Sequence, residues 1–365
     1  MKKNLVIFIP SIEDGGVEKN LFIVTNYLSK KIDNIEIITC NNDFKSKFDK
    51  NIKFTGTKNK FWNNCNKKIK YIICLSILFK RLLFKKDKPL VFAFQANIYA
   101  IIISKLLNTK IITRSNTSIL GWSKNIVKIF FYKLFLNLAN AIMVNSKLFK
   151  NEYSKIFKIK TQYIYNPFDK KQIRKKILEK KKINFFKKDT LNLLSVGRLT
   201  DQKDHITLLR SMKHIDIKLK PRLVIIGKGN NLYKLKKYVY DNNLEKFIKF
   251  TGYLDNPYKH IKKAKILILT SKFEGLPNIL IEAQFLKKYI ISTDCPTGPR
   301  EILLNGLAGD LIKIGDHKKL AFLINNYYNN KKNIRKKINI GSKNLNRFDY
   351  KKNCQQYLNF VLNNF

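Results

Sequence analysis

"ILILTSKFEGLPNILIEA", residues 266–283, governs the reading of the whole chain. Ile266–Leu269 is a continuous apolar run, Gly275 and Pro277 stand where the chain must turn, and the helix-like run Ile279–Ala283 follows. This reads as strand, turn, helix. A strand that is apolar at every position is buried on both faces, as in a parallel sheet covered by helices. Two carboxylates mark the stretch: Glu274 in the turn and Glu282 eight positions on, in the first turns of the helix. In open parallel sheets, ligands bind beyond the carboxyl ends of strands.

The pattern recurs along the chain. Apolar runs at 5–10, 35–40, 90–94, 110–114, 141–145 and 162–166 form one series. Runs at 191–197, 222–227, 247–252, 265–270, 289–294 and 310–315 form a second. Amphipathic or basic stretches long enough for helices lie between most of them. Alternating strands and helices predict α/β domains with parallel sheets. We expect one domain over 1–170, a basic linker over 171–188 and a second domain over 189–344, with a final helix within 345–365 crossing back to the first.

At 365 residues, 45% of them hydrophobic, the chain can bury two cores. The opening "MKKNLVIFIP" lacks the apolar length and cleavage site of a signal peptide. No run reaches the roughly 18 apolar residues of a membrane span. The cysteines at 40, 65, 74, 295 and 354 are scattered, with no CxxC, and read as reduced cytosolic thiols. The net charge of +48 admits two readings. It suits an anionic partner such as a membrane surface, nucleic acid or phosphorylated ligand. It also suits the lysine-loading of tolerant surfaces that accompanies a Lys-, Asn-, Ile- and Phe-rich composition encoded by AT-rich DNA.

Four constellations carry candidate chemistry. In "PSIEDGGVEKN", Gly15 and Gly16 precede a helix, where backbone N–H groups can approach a phosphate; a plain strand–helix turn is the alternative. In "SVGRLTDQKD", a strand stops at Gly197, and Arg198 and Lys203 follow as a possible diphosphate clamp. Arginine is scarce here, so Arg198 is the less easily explained as surface decoration. In "LVIIGKGN", Gly227 and Gly229 close a strand without the third glycine of a dinucleotide fingerprint, which favours a loop beside a nucleotide base. In the opening stretch, Glu274 and Glu282 could hold sugar and ribose hydroxyls, or could be acids favoured near a helix start. There is no Asp-x-Asp, no GxSxG, no GxxxxGK[ST], and His205, His214, His260 and His317 lie far apart.

Taken in order, "GGVEKN", "IYNPFD", "SVGRLTDQKD", "VIIGKGN", "FTGYLDN", "EGLPNILIEA" and "GPREILLNGLAGDL" resemble the retaining nucleotide-sugar glycosyltransferases of family 4 (group 1). The resemblance implies the GT-B fold: two Rossmann-like parallel-sheet domains facing each other across a cleft. It implies a metal-independent hexosyltransferase with no cofactor, its substrate a UDP- or GDP-sugar. Glu274 and Glu282 correspond to the family's E-x7-E pair. Gly15 and Gly16 would approach the donor diphosphate, and Arg198 and Lys203 would neutralise it as it leaves. Glu274 would bind hydroxyls of the transferred sugar and Glu282 the ribose. Gly197, Gly227, Gly229, Tyr253 and Leu254 would line the nucleotide, with Gly275, Leu276, Pro277 and Asn278 along the donor. Many members carry a histidine after the fourth N-terminal strand; here Arg114, Ser115 and Asn116 stand there, as candidates for sugar or acceptor.

The resemblance also implies a saccharide or lipid-linked acceptor, lipopolysaccharide or capsule synthesis, and a cytoplasmic site of action. Two basic, apolar stretches, 69–86 and 122–141, read either as helices packed on a sheet or as a peripheral face on the inner surface of the plasma membrane. In the second, Lys124, Lys128, Lys133 and Asn137 read as one narrow polar stripe. A nucleic-acid-binding protein fits the charge but lacks a recognisable module, and a nucleotide-sugar epimerase of the same fold would need further acids or histidines. No nucleic-acid partner is expected.

Overall fold

The computed structural model describes residues 2–13, 15–40, 42–57, 62, 65–84, 87–116, 125–157, 161–179 and 184–365. The chain divides into two compact units, Met1–Pro167 with Tyr350–Phe365, and Phe168–Asp349.

The first unit is a parallel sheet in the order β3-β2-β1-β4-β5-β6-β7. Its strands are β1 (Asn4–Phe8), β2 (Asn34–Ile38), β3 (Lys53–Thr55), β4 (Leu90–Ala93), β5 (Ile111–Ser115), β6 (Ala141–Val144) and β7 (Thr161–Tyr163). Successive strand side chains point to opposite faces. Leu5 and Ile7 join one core with helix Gly16–Leu28 and the terminal helix Tyr350–Leu362. Val6 and Phe8 join the opposite core, with helices Lys67–Leu83, Asn97–Leu106, Ile126–Leu136 and Lys147–Phe157.

The second unit repeats the plan in the order β10-β9-β8-β11-β12-β13. Its strands are β8 (Leu191–Val196), β9 (Pro221–Ile226), β10 (Ile248–Phe250), β11 (Ile266–Leu269), β12 (Tyr289–Thr293) and β13 (Asp310–Ile312). Leu193, Leu223, Ile225, Ile266, Ile268 and Ile291 form one continuous core.

Two features depart from the sequence reading. The edge strand β3 adds a strand to the sequence reading, so Arg114 and Ser115 end the fifth strand, not the fourth, and Asn116 follows it. Residues Lys170–Leu178, within the expected linker, form a helix capped by Asp169, whose carboxylate accepts from the Lys171 and Gln172 amides. Cys40 and Cys74, remote in sequence, are free thiols whose sulfurs come to 3.4 Å in the core on the Val6 and Phe8 side.

Candidate functional site

Reversal of strand order puts the loops after two strands side by side. In the second unit this happens between β8 and β11, which are neighbours although non-consecutive. The loop after β8 carries Gly197, Arg198 and Lys203, and the loop after β11 carries Ser271 to Pro277. Hydrogen bonds knit them: Lys272 N donates to Gln202 O at 2.8 Å, and the Gln202 side chain, through Nε2, to Phe273 O at 2.9 Å. Thr270 Oγ1 donates to Lys203 O at 3.1 Å.

At this junction Lys203 Nζ meets Glu274 Oε1 at 2.5 Å, with the two side chains 16% and 8% exposed. Ser271 Oγ, fully buried, donates to the same carboxylate oxygen at 2.6 Å. Removing two charges from water is compensated only by such close pairing and added hydrogen bonds. The nearby Cys295 thiol is pushed up to about 12, first by burial and then by the Glu274 charge.

The turn at 274–278 is braced from behind. Thr297 Oγ1 donates to Glu274 O at 2.7 Å and Gly275 O at 3.2 Å. Thr297 sits at φ 75°, a conformation costly for a β-branched residue, and these bonds help to hold it there. A Cβ on Gly298 would come within 1.8 Å of Gly275 O, so only glycine permits this approach. Pro277 then leads into helix Asn278–Phe285, whose first N–H groups need outside acceptors. Glu282, 4% exposed, takes a long hydrogen bond of 3.4 Å from the buried Tyr258 hydroxyl.

The glycine loop after β9 is equally specific. A Cβ on Gly227 would fall 1.9 Å from Gly197 O, and one on Gly229 2.3 Å from Leu199 O. Gly227 N bonds to Gly252 O at 2.9 Å, which brings in the loop after β10 with Tyr253 and Leu254. Tyr253 is partly exposed and lies under the Lys228 ammonium at 5.2 Å. Arg198, in the loop after β8, is exposed. The second unit therefore gathers Gly197, Arg198, Lys203, Gly227, Gly229, Tyr253, Leu254, Glu274, Gly275, Leu276, Pro277, Asn278 and Glu282 on loops or first helix turns beyond its strand ends. Ser271, Tyr258, Thr297 and Gly298 were not singled out from sequence. Ser271 stands three residues before Glu274, the only local hint among them.

The remaining candidates belong to the first unit. Gly15 precedes helix Gly16–Leu28 without a side-chain cap, and Gly16 is exposed. The Glu18 carboxylate lies so close that a Cβ on Gly15 would meet Glu18 Oε2 at 2.7 Å. Arg114 is turned inward, 1% exposed. Its Nε donates to Tyr357 Oη at 2.8 Å, one terminal nitrogen to Asn166 Oδ1 at 2.7 Å, and the other to Asn116 Oδ1. Its guanidinium also lies over the Phe94 ring at 5.5 Å. Ser115 Oγ accepts from Tyr153 Oη at 2.8 Å. In this arrangement Arg114, Ser115 and Asn116 are tied to the protein itself, and Arg114 has no exposed surface for a ligand. Among the described residues no group of three or more His, Cys, Asp or Glu side chains could hold a metal ion.

Residues 176–344 match the family model described as Glycosyl transferases group 1. The chain is 35% identical over 240 residues to an uncharacterized glycosyltransferase of Methanocaldococcus jannaschii, covering 60% of this chain and 58% of that one. It is 28% identical over 331 residues to N-acetylgalactosamine-N,N'-diacetylbacillosaminyl-diphospho-undecaprenol 4-alpha-N-acetylgalactosaminyltransferase of Campylobacter jejuni, covering 87% of this chain and 88% of that one. Among solved structures, Anabaena HepE in complex with UDP-glucose superposes with a TM-score of 0.76 at 15% identity, covering 99% of this chain and 100% of that one. The fold, two parallel-sheet α/β units, is that of the GT-B glycosyltransferases.

Proposed function

We propose that this chain, which carries a group 1 glycosyl transferase domain over residues 176–344, moves a hexose from a nucleotide-sugar donor to a saccharide or lipid-linked saccharide acceptor in cell-surface glycan synthesis. The reaction retains the anomeric configuration and needs no metal. The observation that carries this reading is the buried Lys203–Glu274 pair at the strand-order reversal, braced by Ser271 and framed by two glycine loops. The Campylobacter jejuni relative, named for a diphospho-undecaprenol acceptor, supports the acceptor class. The UDP-glucose complex of a protein of the same fold supports a UDP-sugar donor.

The chemistry follows from charge. Breaking the bond between the anomeric carbon and the phosphate oxygen leaves negative charge on the diphosphate and positive charge on the sugar. Arg198, Lys203 and the first amides of helix Asn278–Phe285 meet the first. Glu274 holds hydroxyls of the transferred sugar beside the second, and Glu282 holds the ribose. The acceptor oxygen bonds to the anomeric carbon, and its proton passes to the leaving diphosphate oxygen. Glu274 in the free protein also balances the Lys203 charge and fixes its position before the donor arrives, so little reorganisation remains.

Incubation with UDP-, GDP- and ADP-sugars, an undecaprenyl-diphosphate-linked saccharide and excess EDTA tests the proposal. The expected product keeps the donor's anomeric configuration by NMR, and EDTA leaves the rate unchanged. An inverted product, loss of activity in EDTA, or isomerised free donor without acceptor would each overturn the corresponding part.

A further inference from the structure

The fold uses only the inner faces of three neighbouring helices in the first unit. In Ile126–Leu136 and the turn after it, Ile129, Tyr132 and Leu136 pack on the core. At about 100° per residue these lie on one side of the helix. The opposite side carries Ile126, Val127, Phe130, Phe131, Leu134 and Leu138, from 82% exposed at Ile126 to 44% at Leu138. The six fall within a single arc of roughly 140°, with Lys128 at one edge and Lys133 at the other. The lysines thus flank the apolar face rather than forming one stripe through it, while Asn137, exposed, stands within it, a correction to the sequence reading; Lys124 lies outside the described residues.

The neighbouring helices extend this face. Helix Asn97–Leu106 packs against both Ile126–Leu136 and Lys67–Leu83. Tyr99 and Leu106, seven apart, are 56% and 74% exposed, as are Ile72, Phe79 and Leu83 at 65%, 41% and 50%. Large exposed apolar side chains gathered on adjacent helices are unusual in a soluble monomer and mark an interaction surface. The three helices contain no acid at all, while Lys68, Lys80, Lys105, Lys128 and Lys133 stand among the apolar residues. A second copy would bring the same cationic face against itself, and like charges oppose that pairing.

We infer that the outer face of helices 67–83, 97–106 and 126–136 docks on an anionic lipid bilayer. The aromatic and aliphatic side chains of 126–138 enter the headgroup boundary, and the flanking lysines meet lipid phosphates. No helix among the described residues is long and apolar enough to cross a membrane, and this docking needs none. It rests on the first unit alone, so it stands or falls independently of donor binding.

The test is sedimentation of the full chain with phosphatidylcholine vesicles with and without phosphatidylglycerol. Wild type should bind the anionic vesicles and leave the neutral ones, more weakly as salt rises. The triple variant Phe130→Ser, Phe131→Ser, Leu134→Ser changes exposed residues only, so it should keep its Tm while binding at least tenfold less. Lys128→Glu with Lys133→Glu should also lose at least tenfold. A control, Ile217→Ser with Tyr233→Ser, removes exposed apolar residues of the second unit and should bind as wild type. Wild type remaining in the supernatant, or a triple variant sedimenting like wild type, would overturn the inference. So would a wild-type dimer in light scattering that the triple variant dissolves without changing vesicle binding, since a second copy would then cover the face.

Discussion

Lys203 and Glu274, 71 residues apart in sequence, share an ion pair of 2.5 Å that is almost closed to solvent. The pair forms because β8 and β11 are neighbours, which sets their following loops edge to edge. Glu274→Gln keeps the shape and removes the charge. It should lower kcat/KM for the nucleotide-sugar by about 100-fold or more, on the scale of losing a preorganised electrostatic contact. Steady-state kinetics with the best donor of the panel checks this; a change under threefold would remove Glu274 from the account.

Ser271 is a positioning residue, since it reaches the donor only through Glu274. Its hydroxyl donates to Glu274 Oε1 at 2.6 Å, and a net hydrogen bond to a charged group is worth about 1.5 to 3 kcal/mol. Ser271→Ala should therefore lower kcat roughly tenfold while nucleotide diphosphate affinity stays the same. Ser271→Thr, which restores a hydroxyl, should recover part of the loss. A purely structural role would instead lower Tm without splitting kcat from nucleotide affinity.

Arg114 gives the opposite expectation. A buried guanidinium depends on its acceptors, and here Tyr357 supplies one at 2.8 Å. Tyr357→Phe leaves Nε without that acceptor and should cost about 1 to 3 kcal/mol of stability, seen as a Tm lower by several degrees. Nucleotide-sugar binding by the second unit should be unaffected, which calorimetry can establish.

Much of this was legible in the sequence, and the exceptions have physical causes. The apolar runs marked most of the strands because parallel strands are buried on both faces. β3 escaped because Lys53–Thr55 is a three-residue edge strand held by its register with Glu36–Ile38 rather than by apolar content. The loop candidates of the second unit stand out because glycine and proline punctuate strand ends. Their pairing does not, since Lys203 finds Glu274 only through sheet order. Arg114 read as a sugar or acceptor candidate only because the family resemblance puts a ligand-contacting histidine at that stretch. Its inward turn depends on Tyr357, 243 residues away, which no local pattern reveals.

His205 makes stability depend on pH. It begins helix His205–Met212, is 3% exposed, and its Nδ1 has no hydrogen-bond partner. Burial, and secondarily the Lys203 charge, lower its pKa from 6.5 to about 4. The unfolded chain therefore binds a proton below about pH 6.5 that the folded chain refuses until about pH 4. Stability should fall as pH drops through that window, by roughly 2 to 3 kcal/mol from this group. Thermal melts from pH 7.5 to 4.5 should show a decline that is shallower in His205→Asn. A decline equally steep in that variant would assign the effect to other groups.

The proposed function requires that the second unit bind a nucleotide-sugar through Glu282 and its neighbouring loops. Thermal stabilisation against UDP-, GDP- and ADP-sugars, with wild type beside Glu282→Gln, tests it most directly. The account predicts a concentration-dependent rise in Tm with one nucleotide class, largely lost in the variant while its ligand-free Tm stays close to wild type. No rise with any nucleotide-sugar, together with a clear rise on adding an oligonucleotide, would contradict it.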